Sequence, residues 1–401
     1  MHTVQGGERV NNTVLGGLKI LNLAEQYPGP YATLILSDLG ADVINVERPI
    51  GGDPARQFDA FYQSINRNKR SLALDLKSEK GRQIFLELAR DADVILEGYR
   101  PGVAKRLGIS YEDISAINDR IVYASISGFG QDGPYKNRPA HDLSYQSIAG
   151  MLYRQVDSGQ SFQVPKVETG DLSSGMFAAI GVLSGLFLRQ QTGKGTYIDV
   201  SMTDGLVSWM TTNLVPFINK MGQPGLPAEP GYYIYKTQDG KLISISIAHE
   251  DWFWVDFCNE IGLSELTHLK SEERRTRFEE LKQKVSQAIS KHTRKEWEER
   301  FEKAGIPFGS VLSLEEVQHD PQFTQRGLFV EIPECNDRPA MTHVRQPLKF
   351  EGRETIPTKH APHLGEHSRV ILREIGYAED EIDDLFSKNI CYEELSKQHH
   401  S

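Results

Sequence analysis

Leu18-Lys19-Ile20-Leu21-Asn22-Leu23, then Tyr31 to Leu39 closed by Gly40, then Val43-Ile44-Asn45-Val46, is the stretch that decides the fold. A short apolar run, an apolar segment of helical length ended by a residue suited to the left-handed cap, and a second apolar run together spell one βαβ unit. The alternation continues, with a helix predicted from Ser78 to Arg90 and strands at Val94 to Leu96 and Ile121 to Ile126. A helix from Leu172 to Gln190 and a strand from Tyr197 to Val200 complete it. Strands and helices in this order predict a mostly parallel sheet, the frame of a nucleotide-carrying α/β domain.

The texture changes at Gln223, where Pro224, Gly225, Pro227, Pro230 and Gly231 break any regular element and mark a linker. Beyond it, Tyr232 to Lys236 and Leu242 to Ile247 flank Asp239-Gly240, a hairpin signal. Two strongly charged helices follow, Ser271 to Lys291 and Arg294 to Ala304. The expected division is therefore a larger N-terminal part over 1–222, a smaller α+β domain over 223–330, and a proline-rich segment over 331–401 that is irregular until a helix from Glu366 to Glu374.

Composition narrows the partners. The chain has 401 residues, 39% hydrophobic and 25% charged, as in ordinary globular proteins. Its formal net charge of −10 argues against a nucleic-acid surface, so an anionic ligand needs a local basic pocket. The cysteines Cys258, Cys335 and Cys391 give neither a disulfide framework nor a metal-ligand pattern, which suits a reducing cytoplasm. Met1 to Asn12 is polar and does not resemble a signal peptide, and the apolar run Gly175 to Leu188 is short for a bilayer and contains Ser184. The expectation is a soluble cytoplasmic protein with no metal and no membrane or nucleic-acid partner.

Two segments carry chemistry: Ala140-His141-Asp142-Leu143-Ser144-Tyr145 and Glu168-Thr169-Gly170-Asp171-Leu172-Ser173-Ser174-Gly175. Each puts a reactive side chain at the mouth of an apolar segment. A carboxylate beside a glycine turn can attack a thioester carbonyl, and a carboxylate facing an imidazole can exchange a proton at the carbon next to that carbonyl. The plainer readings stand beside these: His141 as a structural histidine bonded to Asp142 or Tyr145, and Asp171 as the N-cap of a helix opening at Leu172. Gly128-Phe129-Gly130-Gln131-Asp132-Gly133 follows a strand as a dinucleotide fingerprint would. Pro134 and Pro139 then enclose a polar loop rather than a helix, so the glycines read as a loop that a ligand can approach. Arg48 and the Arg67, Lys69, Arg70 cluster lie at strand-to-loop edges where phosphate recognition is plausible beside simple solvation. Trp252, Phe253, Trp254 and Phe257 read as the buried face of a helix, with Glu250 a carboxylate at its N-terminal end.

Taken together, Pro28-Gly29-Pro30-Tyr31-Ala32-Thr33, Gly40-Ala41-Asp42-Val43-Ile44, Val46-Glu47-Arg48-Pro49, Gly52-Asp53-Pro54-Ala55-Arg56, Asn66 to Lys77, Arg100-Pro101-Gly102, Ser127-Gly128-Phe129-Gly130 and Thr192-Gly193-Lys194-Gly195 resemble the family III CoA-transferases, which also include 2-methylacyl-CoA racemases. The resemblance covers most of the chain. It implies a Rossmann-like large domain built from both termini, so that 331–401 completes it, a small domain between, and a homodimer of interlocked rings. It implies coenzyme A as an acyl-CoA substrate with no tightly bound cofactor, held around Gly29, with Arg48 and Arg106 near its phosphates and Lys69 and Arg70 near its adenosine end.

The same resemblance makes Asp171 the catalytic carboxylate. In the transferases such an aspartate forms a mixed anhydride and a free carboxylic acid accepts the CoA. In the racemases a histidine of a Gly-His-Asp segment works with it, and His141 and Asp171 match that pair in type and order, although Ala140 stands where the glycine is usual. Glu250 resembles a racemase carboxylate that orients the histidine. The short glycine loop of some transferases is not visible, while the Gly52 to Arg56 and Asn66 to Ser71 segments read more like that half of the family. CoA transfer is the leading expectation and racemisation the alternative.

Overall fold

The computed structural model describes residues 13–153, 164–222, 227–353 and 355–394. Pro224 and Gly225 of the expected linker, and the N-terminal segment to Asn12, lie outside the described residues. The chain divides into two compact units, one of Met1–Thr211 with Gly327–Ser401 and one of Thr212–Arg326.

The larger unit is a mixed α/β structure around a parallel sheet. Its strands are β1 (Lys19–Asn22), β2 (Asp42–Glu47), β3 (Arg70–Leu74), β4 (Val94–Glu97), β5 (Val122–Ser127) and β6 (Thr196–Ser201). β1 pairs with β2 on one side and with β4 on the other, and the full order, with the late strand Cys391–Tyr392 at one edge, is Cys391–Tyr392, β3, β2, β1, β4, β5, β6. Within this sheet, among the described residues, only the Cys391–Tyr392 strand runs antiparallel to its neighbour. Alternate residues serve opposite faces: Leu21, Ile95 and Tyr123 enter one buried cluster, Ile20, Val94, Leu96 and Ala124 the other. Near-continuous burial along β3 to β5 is what a sheet covered on both faces requires.

The helices differ from the expectations at their ends, for identifiable reasons. The first spans Pro28–Asp38 rather than starting at Tyr31, because prolines fit the first turn, where no intrahelical N–H is needed. Ser78 stays outside Glu79–Arg90 as its N-cap, its hydroxyl accepting from the Gly81 N–H. The helix expected from Leu172 spans Thr169–Thr192. That makes it long and apolar enough to cross a membrane by length and composition, which the shorter apolar run had not suggested. One side of it is small and buried, with Gly175 against the Pro28 carbonyl and Gly185 against Val122, so the helix lies tightly on Pro28–Asp38 and the sheet. Its other side carries exposed Met176, Ile180, Leu183 and Phe187. Helix Asp142–Ile148 and strand β3 were not anticipated.

A buried ion pair ties the first helix to the start of β3. The Arg67 guanidinium donates to Asp38 at 2.6 Å, with side-chain exposures of 3% and 0%, and also to the Val344 carbonyl of the returning segment at 2.7 Å. Asn68 donates to the same carboxylate at 2.8 Å.

The smaller unit holds a three-stranded antiparallel sheet, β7 (Tyr232–Lys236), β8 (Leu242–Ser246) and β9 (Phe308–Ser310). Its core is aromatic, with Trp254, Phe257, Trp297 and Phe301 fully buried, whereas Trp252 of the same string is 61% exposed. The single helix expected over Ser271 to Lys291 is two, Ser271–Thr276 and Phe278–Ile289, broken at Arg277.

Arg67→Ala leaves the buried Asp38 carboxylate without its counter-ion and should lower the stability of the larger unit by about 3–5 kcal/mol, read from its urea midpoint. A loss under about 1 kcal/mol would show that the pair is dispensable.

Candidate active site

β1 and β4 are neighbours whose connections leave in opposite directions, which opens a crevice beyond their carboxyl ends. A cleft of about 670 Å³ occupies it. The segments Leu23 to Pro28 and Gly98 to Pro101 form two of its walls, and Ile126 to Phe129, Ala140, His141 and Asp171 close it.

The structure brings His141 and Asp171 to this one cleft. Asp171 is not the N-cap of its helix. Glu168 holds that position, and Asp171 lies inside the first turn with its carboxyl free of hydrogen bonds among the described residues. Capping falls to Asp142, whose Oδ1 accepts from the N–H of Gly170 at 2.7 Å and of Asp171 at 3.2 Å, while Oδ2 accepts from the Gln146 side chain. Asp142 therefore serves the helix of Asp171 rather than the ring of His141. His141 is an exposed N-cap residue of helix Asp142–Ile148 with an extended backbone.

Burial, then the negative charges of Asp142 and Glu168, push the Asp171 carboxyl from 3.8 up to about 7. Two further carboxyls near the crevice are raised to about 7, in each case chiefly by burial. Glu25, at the end of β1, is partly offset by Arg48, and Glu97, at the end of β4, by hydrogen bonds from the Ser125 hydroxyl and the Tyr99 N–H. Arg100, Lys136 and Arg138 line the same cleft, and none of them has an ion-pair partner among the described residues. An anion entering here meets cations and near-neutral acids.

The glycine-rich loop makes its close approach to protein. A Cβ at Gly128 would lie 2.6 Å from the Tyr145 ring, and the Gln131 N–H is held by Asp199 at 2.9 Å. Gly29 likewise serves packing, since a Cβ there would lie 2.1 Å from the Ala24 Cβ. Arg48 is exposed, with Nε 3.4 Å from Glu25, and Arg106 is exposed on helix Val103–Leu107.

Lys69 and Arg70 require a correction. The Lys69 ammonium is buried, its pKa pushed well down by that burial, and donates to the Pro30 carbonyl at 2.8 Å and to Asn66 at 3.0 Å. Arg70 is divided between Asp42 and Glu374. Neither is free to meet a phosphate. Glu250 belongs to the smaller unit, where it precedes helix Asp251–Glu260 and accepts from the Ala248 N–H at 2.9 Å. Backbone N–H groups hold its pKa down. Sequence reasoning passed over Arg100, Lys136, Arg138 and the capping role of Asp142. The sequence offers one signal, the aspartate beside His141, which reads there as a partner for that ring.

The Asp171 shift makes a signed prediction. The folded carboxyl keeps its proton up to about 7 while the unfolded one loses it near 3.8, so its contribution to stability is full below 3.8 and is lost as pH rises through 7. Asp171→Asn should be more stable than the parent at pH 8 and level with it near pH 3.5, as denaturant midpoints will show. Asp142→Asn keeps an acceptor for the two N–H groups but removes the charge, so the Asp171 titration, followed by carboxyl ¹³C NMR, should move to lower pH. An unmoved titration would refute the coupling.

The chain is similar to known proteins over most of its length. A model of CoA-transferase family III matches residues 15–368. An acetyl-CoA:oxalate CoA-transferase of Acetobacter aceti is 35% identical over 79% of this chain and 85% of its own length. The alpha-methylacyl-CoA racemase of Homo sapiens is 32% identical over 94% of this chain and 97% of its own. A crystal structure of a CaiB/BaiF family protein from Brucella suis superposes with a TM-score of 0.81 at 28% identity, covering 91% of this chain and 100% of that one. The chain belongs to the family III CoA-transferases, a group whose members among its relatives include both CoA-transferases and racemases.

Proposed function

We propose that this protein transfers coenzyme A between carboxylic acids through a mixed anhydride on Asp171. The observation that carries the reading is the free, desolvated Asp171 carboxyl opening into the switch-point cleft. Its ionised form attacks the thioester carbonyl carbon, the C–S bond breaks, and CoA leaves as thiolate. The thiolate then attacks the aspartyl carbonyl of the anhydride, freeing the donor acid and leaving an aspartyl thioester. The acceptor carboxylate attacks that thioester and expels the thiolate again. Attack of the thiolate on the acceptor carbonyl of the new anhydride yields the new acyl-CoA and restores Asp171. Arg100, Lys136 and Arg138 supply positive charge for the anionic partners at the cleft, and exposed Arg48 and Arg106 remain candidates for the CoA phosphates. The mouse succinyl-CoA:glutarate CoA-transferase, 32% identical over 96% of this chain, supports an acid as the acceptor.

One observation favours the second reading, α-proton exchange: His141 opens onto the same cleft as Asp171. Two groups can then bracket the α-carbon, and a carboxyl near 7 both gives and takes a proton at neutral pH.

The proposal includes a homodimer of interlocked rings. Met176, Ile180, Leu183 and Phe187 support it, because they recur at helical spacing along an exposed face of Thr169–Thr192.

Incubation with acyl-CoA esters in deuterated water separates the readings. Thioester formed only when a free acid is added marks transfer, and deuterium at the α-carbon without an acid marks racemisation. Asp171→Asn should remove either activity by on the order of 10²–10⁴-fold. His141→Ala should remove only racemisation. Transfer surviving intact in Asp171→Asn would exclude the anhydride. Ile180→Glu should turn a dimer into a monomer in sedimentation velocity, and a monomeric parent would rule the dimer out.

A further inference from the structure

Tyr27 shares the cleft with Asp171, and nothing above gives it work. It stands at the N-cap of helix Pro28–Asp38, in a segment fixed from both sides. Before it, Gln26 has φ of 66°, a left-handed conformation uncommon for a residue with a side chain, and its N–H donates to both oxygens of Asp53 at 3.0 and 3.1 Å. After it come Pro28 and Pro30, whose rings fix φ. The Tyr27 ring meets Phe61 edge-on at 4.9 Å and Tyr31 at 6.3 Å between centroids. A strained backbone and two ring contacts thus hold one side chain at the cleft wall.

Its hydroxyl is uncommitted among the described residues. Tyr145, which also lines the cleft, donates its own to the Ala140 carbonyl at 2.9 Å. Tyr99 lies in the field of Glu25, Glu97 and Arg48, at the ends of β1, β4 and β2. Tyr27 instead lies in the field of Glu168, Asp171 and Asp142. Burial, followed by those carboxylates, pushes its pKa up to about 12, so the phenol keeps its proton to donate.

We infer that the Tyr27 hydroxyl is a catalytic hydrogen-bond donor to the carbonyl oxygen of the bound thioester, an inference that rests on the acyl-CoA reading above. When an Asp171 oxygen bonds to the carbonyl carbon, the π pair moves onto the oxygen, where the phenol O–H stabilises it without surrendering its proton. Collapse returns the pair to C=O as the C–S bond breaks. A carboxylate nucleophile cannot supply this donor itself, and a fixed neutral phenol needs no reorganisation as the charge develops. An enolate oxygen in α-proton exchange would use the same donor.

The test compares the parent enzyme with Tyr27→Phe and Tyr27→Leu. The probes are acetyl-CoA with oxalate, succinyl-CoA with glutarate, and a 2-methylacyl-CoA in deuterated water. Tyr27→Phe keeps both ring contacts and should fold as the parent does, while kcat falls on the order of 10²–10³-fold and KM moves little. Tyr27→Leu should show a similar fall. An unchanged kcat in Tyr27→Phe overturns the inference while leaving the Asp171 reading intact, and so does a loss confined to Tyr27→Leu, which would assign the effect to the ring. A parent inactive on every probe sinks the acyl-CoA reading and this inference with it.

Discussion

The pairing of β1 with β2 on one side and β4 on the other is the constraint from which the rest of the larger unit follows. Right-handed crossovers from a strand with parallel neighbours on both sides send successive helices to opposite faces, and the backbone leaving β1 and β4 must diverge. The helix after β1 is pressed by the small side of Thr169–Thr192, so the first turn of that longer helix arrives at the divergence. Asp171 is where it is because of strand order, and helix packing delivers it there.

A division of labour between two aspartates lets that position be reactive. A helix start leaves N–H groups in need of acceptors, and an aspartate within the turn would ordinarily supply one. Here Asp142 accepts from Gly170 and Asp171 instead, leaving the second carboxyl unbonded and desolvated. The arrangement puts two carboxyls close together and holds one of them at an unfavourable ionisation, which works against stability at neutral pH and above. Such strain is tolerated where the surrounding packing fixes it, and the buried Arg67–Asp38 pair and the glycine contacts of the two helices do so here.

Much of the frame was legible in the sequence because it depends on local pattern. The short apolar runs gave β1, β2, β4, β5 and β6 to within a residue or two, and helix Arg294–Ala304 matched at both ends, with Thr293 capping and Gly305 in the left-handed position. β3 was missed because the charged Asn66 to Arg70 segment ahead of it conceals a strand whose pairing is set by β2 and by the late Cys391–Tyr392 strand. The site was legible in part. His141 and Asp171 stood out by residue type. Lys69 and Arg70 misled because a sequence displays charge without showing whether it is spent internally, on Pro30 and Asn66 in one case and on Asp42 and Glu374 in the other. Arg100, Lys136 and Arg138 went unread because only the folded loops set them around one crevice.

The formal charge of −10 counts every carboxylate as ionised. Glu25, Glu97 and Asp171, raised to about 7, are partly protonated at neutral pH, and Glu25 and Asp171 line the cleft with Arg100, Lys136 and Arg138, which have no ion-pair partner among the described residues. A polyanion approaching from afar is therefore repelled by the molecule as a whole and attracted only within the last few ångströms, inside a Debye length of the crevice. Moderate salt screens the distant repulsion before it weakens the close contacts, so it hastens the encounter of an anion with the crevice rather than slowing it.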